Sequence, residues 1–176
     1  MKEELKAFFS EVASDPVLQK QLYQTKEIAD VAHIAKDRGF EVTGIDILRA
    51  QAGRILMLIP EELEILAAGK KPQTGAQWGR EGNGYLDNAG FWLNKFIEWD
   101  YADPAFEPEL EAFFIQIKED ETLKAELLVA KTCNDIATIA CNYGYKFAGS
   151  LLVRYQAIQV LKLTDEKAEK VANGTI

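Results

Sequence analysis

Histidine is nearly absent from this chain: His33 is the only one in 176 residues. That excludes a His-rich metal centre and leaves a nucleophile–histidine–acid triad only one candidate base. Cysteine is almost as scarce. Cys133 and Cys141 lie eight residues apart in one predicted helix, about 12 Å along its axis, too far for a disulfide. Both are expected to be reduced and buried as small hydrophobes. Basic clusters are missing too, Lys70-Lys71 being the only adjacent pair, and the net charge is −8 with a pI near 4.8. A nucleic-acid binder needs a basic face, so that class is excluded. No apolar run approaches the ~20 residues that span a bilayer, and Met1-Lys-Glu-Glu lacks a secretory pattern. The cytoplasm is the expected compartment. No G-x-G-x-x-G follows a strand, so no dinucleotide cofactor is implied, and no stretch alternates with the period of a strand.

What the chain does have is a copy of itself. Leu5–Gly69 and Leu110–Gly174 align without a gap over 65 positions at a constant offset of 105, with 23 identical pairs. Leu5/Leu110, Phe8/Phe113, Phe9/Phe114, Asp15/Asp120, Gly39/Gly144, Arg49/Arg154 and Gln51/Gln156 are among them. Identity that runs through helices and loops alike marks a duplicated folding unit. The domains read as 1–69, a first helical repeat; 70–106, an insert; and 107–176, a second helical repeat. Each unit is near the size limit for a self-sufficient core.

Both copies read as helices throughout. Leu5, Phe8, Phe9 and Val12 fall at i, i+3, i+4, i+7, and Leu110, Phe113, Phe114 and Ile117 repeat the stripe. Asp15-Pro16 and Asp120-Glu121 cap a short second helix. A third helix over about Thr25–Arg38 shows Ile28, Val31, Ala32 and Ala35 on one face; its twin opens on a Thr132/Asp135 capping box. Gly39 and Gly144 stop these helices in the left-handed conformation, and a ring at Phe40 or Tyr145 follows to plug the core. A fourth helix covers about Gly44–Leu58 and Gly149–Leu163. A fifth starts near Pro60 or Thr164 and ends at Gly69 or Gly174. Each copy is expected to bury its Phe pair in its own bundle, and the two bundles to touch.

The insert changes character midway. Lys70–Gly84 is Gly-rich and reads as a mobile loop. A helix capped by Asp87 or Asn88 then places Trp92, Phe96 and Trp99 on one side, broadened by Leu93 and Ile97. Trp78, Trp92 and Trp99 are all the tryptophans of the chain. This helix either completes a shared core or exposes a binding anchor, since Trp and Tyr dominate interface hot spots. Trp78, Trp92, Phe96, Trp99 and Tyr101 are therefore the candidate partner-binding residues.

A search for catalytic groups yields none. His33 becomes Thr138 in the second copy and reads as a partly exposed helix residue. Glu61, Glu62 and Glu64, like Glu119, Asp120 and Glu121, sit at helix starts, where the dipole favours acids. Asn173-Gly-Thr matches a glycosylation sequon but has no secretory signal to make it meaningful. Catalytic, cofactor and metal residues are all expected to be absent.

The progression Phe8, Asp15-Pro16, Leu18, Ala35, Gly39-Phe40 resembles the small helical Nif-eleven domain, a family named for its association with nitrogen fixation. Phe113, Asp120, Leu123, Ala140, Gly144 and Tyr145 repeat it, with Glu121 in place of Pro. The resemblance implies one of two roles. Some members are leader peptides of ribosomal, lanthipeptide-type natural products, docking on a modifying enzyme and cut after a Gly-type motif. Leu163–Gly174 resembles such a leader ending, but only Thr175-Ile176 follow it as cargo, and Ala68-Gly69 leads into another folded unit. Other members are stand-alone proteins of nitrogen-fixing bacteria, and the tandem form is similar to those. The expectation is an all-α, non-enzymatic cytoplasmic protein: two similar helical bundles joined by a loop and an aromatic-rich helix. It is expected to bind another protein through an apolar helical groove or the insert, with neither nucleic acid nor membrane as partner. An enzyme or small-ligand carrier would need a concave polar site with convergent titratable groups.

Overall fold

The computed structural model describes residues 2–25, 27–70, 89–99 and 107–174, with Tyr23 and Trp92 described through their backbone alone. Among these residues there are eleven helices and no strand. The first copy supplies α1 (Glu3–Ser14), α2 (Pro16–Tyr23), α3 (Ile28–Asp37), α4 (Gly44–Ile55) and α5 (Pro60–Ala67). The insert supplies α6 (Ala89–Glu98). The second copy repeats the series as α7 (Pro108–Glu119), α8 (Glu121–Leu128), α9 (Cys133–Asn142), α10 (Gly149–Lys162) and α11 (Asp165–Asn173).

The punctuation acts as the sequence predicts, and in both copies. The Asp15 carboxylate accepts from the N–H groups of Val17 and Leu18 at 3.0 Å each, and Asp120 accepts from Leu123 at 3.0 Å. Thr132 and Asp135 exchange reciprocal hydrogen bonds at the start of α9. Gly39 and Gly144 take φ values of 90° and 91°, so any side chain there is strained. Behind each, Phe40 N–H donates to the Ala35 carbonyl and Tyr145 N–H to that of Ala140, at 3.0 and 2.9 Å. This turn swings the following ring onto the core: Phe40 lies 5.6 Å from Phe8, and Tyr145 5.5 Å from Phe113.

The helix N–H of Leu18 and the Arg38 guanidinium, 3.1 Å away, hold the Asp15 carboxyl below the usual carboxylate range. A carboxyl lowered on folding stabilises above its unfolded pKa and loses that contribution as pH falls through the folded one. Asp15→Ala should therefore lower the urea midpoint at neutral pH, and the deficit should vanish in acid. A midpoint difference independent of pH would contradict this role.

Phe8, Phe113 and Phe114 are buried within their own copies, as expected, while Phe9 is only half-buried, and the last helices do not stay with their own copies. Helices α4 and α10 lie against each other at the centre, α5 crosses onto α9 and α10, and α11 crosses onto α3 and α4. Each copy thus closes the other's bundle, which corrects the expectation of two self-contained bundles in contact. Two features account for the exchange. Leu163 and Thr164 are both extended, directing the chain away from α10, and four helices of so small a unit leave an apolar face that the twin's fifth helix covers. Leu63, Leu66 and Ala67 of α5 and Ala168, Val171 and Ala172 of α11 are the residues buried there. Arg49 of α4 ties the crossing down, donating to the Leu163 carbonyl at 3.1 Å and to Asp165 at 2.7 Å.

Helix α6 packs on α8 and α9 of the second copy. Its first turn donates Ala89 N–H to the Lys131 carbonyl and Gly90 N–H to that of Ala130, at 3.2 and 3.0 Å. The buried Gln156 amide donates to the Ala89 carbonyl at 3.2 Å and accepts from the Cys133 thiol at 3.6 Å. Burial pushes that thiol far above the usual thiol range, so Cys133 is inert. Cys141 is exposed, against expectation. Eight residues place it about 80° further round α9, past the edge of the buried face.

Candidate docking groove

The aromatic residues of the insert separate on folding. Leu93 and Phe96 are wholly buried against the second copy, and Trp99 is half-buried, 6.4 Å from Phe96 with the Lys167 ammonium 5.7 Å over its ring. Phe96 is therefore a core residue in this structure and offers no exposed anchor. Trp78, Tyr101 and the loop before α6 lie outside the described residues, as does the Trp92 side chain. His33 is exposed on α3. Among the described residues, no group of three or more His, Cys, Asp or Glu side chains is placed to hold a metal.

A concavity lies elsewhere, in the first copy, where α1 faces α4. It is a groove of about 850 Å³ with an apolar lining of Leu5, Phe9, Ala50, Gly53, Met57 and Leu58. Lys2, Asp46, Arg49, Arg54 and Glu62 form its rim. Lys2 reaches across to Asp46 at 3.0 Å. Asp46 also accepts from the Thr43 N–H at 3.0 Å as part of the α4 capping box, and these hydrogen bonds outweigh burial to lower its carboxyl. Its charge is thus committed to the protein.

The groove follows differences between the copies along the fourth helix, three of them in its apolar lining. Counting 105 residues on, Ala50 becomes Tyr155, Gly53 becomes Ile158 and Met57 becomes Lys162. In the second copy Tyr155 is fully buried, its ring 5.0 Å from Phe114, and Phe114 is only 2% exposed. In the first copy the matching Phe9 is half-buried in the groove lining, and a Cβ placed on Gly53 would meet nothing within 4 Å. Met57 stands 84% exposed at the edge. Helix α4 also stops at Ile55, short of the predicted Leu58, while α10 continues to Lys162, two residues past the matching position. A glycine inside a helix costs about 0.5–1 kcal/mol relative to alanine, so Gly53 carries a stability penalty that its twin Ile158 does not. Sequence reasoning missed Ala50, Gly53 and Met57. The signal that could have found them is the small-against-large mismatch between the copies.

Two like helical units joined end to end, each closed by the other's last helix and one of them grooved, define an all-α tandem-repeat protein. The Nif11 domain matches residues 2–47 and 107–151, one region in each copy, and the chain belongs to that family. No solved structure matches the chain.

Proposed function

We propose that this chain is a non-enzymatic accessory protein that docks another protein in the groove between α1 and α4, working in the cytoplasm of a nitrogen-fixing bacterium. The observation that carries the reading is the divergence of the copies: Ala50 leaves open in the first what the Tyr155 ring fills in the second, and Gly53 beside it faces open space. An open apolar groove with an exposed methionine at its lip suits a binding surface better than a core, since methionine adapts its shape to what it meets. A leader-peptide role fits less well. The leader-like ending is here the folded α11, docked on α3 and α4, with Gly174 against the Glu27 carboxylate, where a processing enzyme would first have to unseat it.

Affinity capture from cells growing on dinitrogen tests the reading, comparing the natural chain with the variant Ala50→Tyr/Gly53→Ile. The variant borrows the plug of the second copy. A prey retained by the natural chain and lost by the variant is the expected result. Equal retention, or no specific prey, would refute docking in this groove.

A further inference from the structure

The copies also differ where their third helices begin. Thr132 opens α9 with a neutral hydroxyl that accepts the Asp135 N–H at 3.1 Å. Its twin, 105 residues earlier, is Glu27, which opens α3 with a carboxylate. Glu27 is half-buried, and its Oε2 is fully buried with no hydrogen-bond partner. Gly174, the left-handed residue that ends α11, lies directly against it: a Cβ there would collide with both carboxylate oxygens. We infer that Glu27 is a proton-sensitive latch on the last helix: α11 seats fully on the first copy when this carboxyl is neutral and is held less tightly when it is ionised. The latch is separate from the groove and stands whether or not a partner docks there.

Burial and charge both oppose the ionised form. A carboxylate oxygen taken from water without a donor to replace it is costly. Oε2 also stands at the C-terminal end of α11, the negative end of the helix dipole. Three helices meet at this corner, since a Cβ on Gly44 of α4 would stand 3.1 Å from that of Ala172 and 3.6 Å from the Ala29 Cα. None of them brings a cation to Oε2. Asp30 of α3 is itself an acid, accepting the Glu27 N–H at 3.1 Å. Asp46 of α4 is another, engaged by Lys2 at 3.0 Å. In the last turn of α11 the Lys170 ammonium lies 3.8 Å from Glu166. Burial, and behind it the like charge of Asp30, push the Glu27 carboxyl above the usual carboxylate range. A carboxyl raised on seating binds its proton more tightly in the seated state. Seating of α11 therefore strengthens as pH falls through the raised pKa, and the whole penalty is present above it.

The test is amide exchange of the full isotope-labelled chain, followed by NMR from about pH 7 to about pH 4, a span that brackets the usual glutamate pKa. Two variants are compared with the natural chain: Glu27→Gln, which keeps the shape without the charge, and Glu27→Thr, which borrows the cap of the twin. The exposed Arg49–Asp165 pair at the other end of α11 is common to all three, so the ratio of their protection factors isolates Glu27. At neutral pH both variants should protect α11 better than the natural chain does. For Glu27→Gln the ratio should fall to unity as pH drops below the Glu27 midpoint, read from its carboxyl carbon shift. Each pH unit by which that midpoint exceeds the usual value should appear as about tenfold in the neutral-pH ratio. Protection of α5 should be the same in all three proteins, since the second copy carries Thr132 at the matching place. A Glu27 midpoint in the ordinary range, a ratio that does not change with pH, or weaker protection of α11 in both variants at neutral pH would overturn the inference.

Discussion

Phe8→Ala should destabilise the protein by about 3–5 kcal/mol, the range for removing a buried aromatic ring. Phe8 is wholly buried, in ring contact with Phe9 and Phe40 at 6.1 and 5.6 Å. It anchors α1 and the turn after Gly39 at once, and neither can slide in to fill the cavity without giving up its own packing. A domain's net stability is about 5–15 kcal/mol, so the loss is a large share of the total. The twins at the next position give a sharper comparison. Phe9 and Phe114 are the same residue at matched places, but Phe114 is sandwiched between Phe113 and Tyr155 while Phe9 borders the groove. Phe114→Ala should therefore cost more than Phe9→Ala in urea denaturation. Equal losses would mean that the first copy is as tightly filled as the second.

Gly90→Val should be the most damaging change in the insert. A Cβ on Gly90 would collide with the Leu127 carbonyl of α8 and press on the Ala130 methyl. The obstacle is backbone, held by the hydrogen bonds that Ala89 and Gly90 donate to the Lys131 and Ala130 carbonyls. Overpacking typically costs about 1–3 kcal/mol and more where nothing can yield; here the upper part of that range or beyond is expected. The visible result would be α6 lifting from the second copy, with faster amide exchange in α6, α8 and α9. Gly53→Val, in open space, should leave exchange in its surroundings almost unchanged. Similar damage from both would refute the close seat of α6.

Most of the architecture could be read from residues because its causes are local. The stripe from Leu5 to Val12, the Asp15 and Asp120 caps, the Thr132/Asp135 box and the left-handed glycines each act within a turn of their own position. The crossing of α5 and α11 could not be read that way. An apolar last helix of either copy suits both bundles, and the extended residues that precede these helices, Ile59 before α5 and Thr164 before α11, lead each away from its own fourth helix. Phe96 was legible as apolar and helical but not as buried, because periodicity gives a face and not what covers it. The groove is the opposite case. Ala50 and Gly53 are unremarkable alone, and comparison by identity passes over them, since a cavity is written in positions where the copies disagree.

The exchange of the last helices is open to one direct test. Gly44 opens α4 in the first copy and Ala172 lies in α11 of the second, and a Cβ on Gly44 would stand 3.1 Å from that of Ala172, a few tenths of an ångström short of the ~3.5–4.5 Å usual for a disulfide, so a small shift admits the bridge. Gly44→Cys and Ala172→Cys should be combined in a chain with Cys133→Ala and Cys141→Ser, oxidised at low protein concentration, and analysed by mass spectrometry after proteolysis. A crossed α11 predicts a bridge within a single chain joining the peptides that contain the two positions. Two free thiols, or bridges formed only between molecules, would show that α11 stays on its own copy and that the paired bundle is wrong.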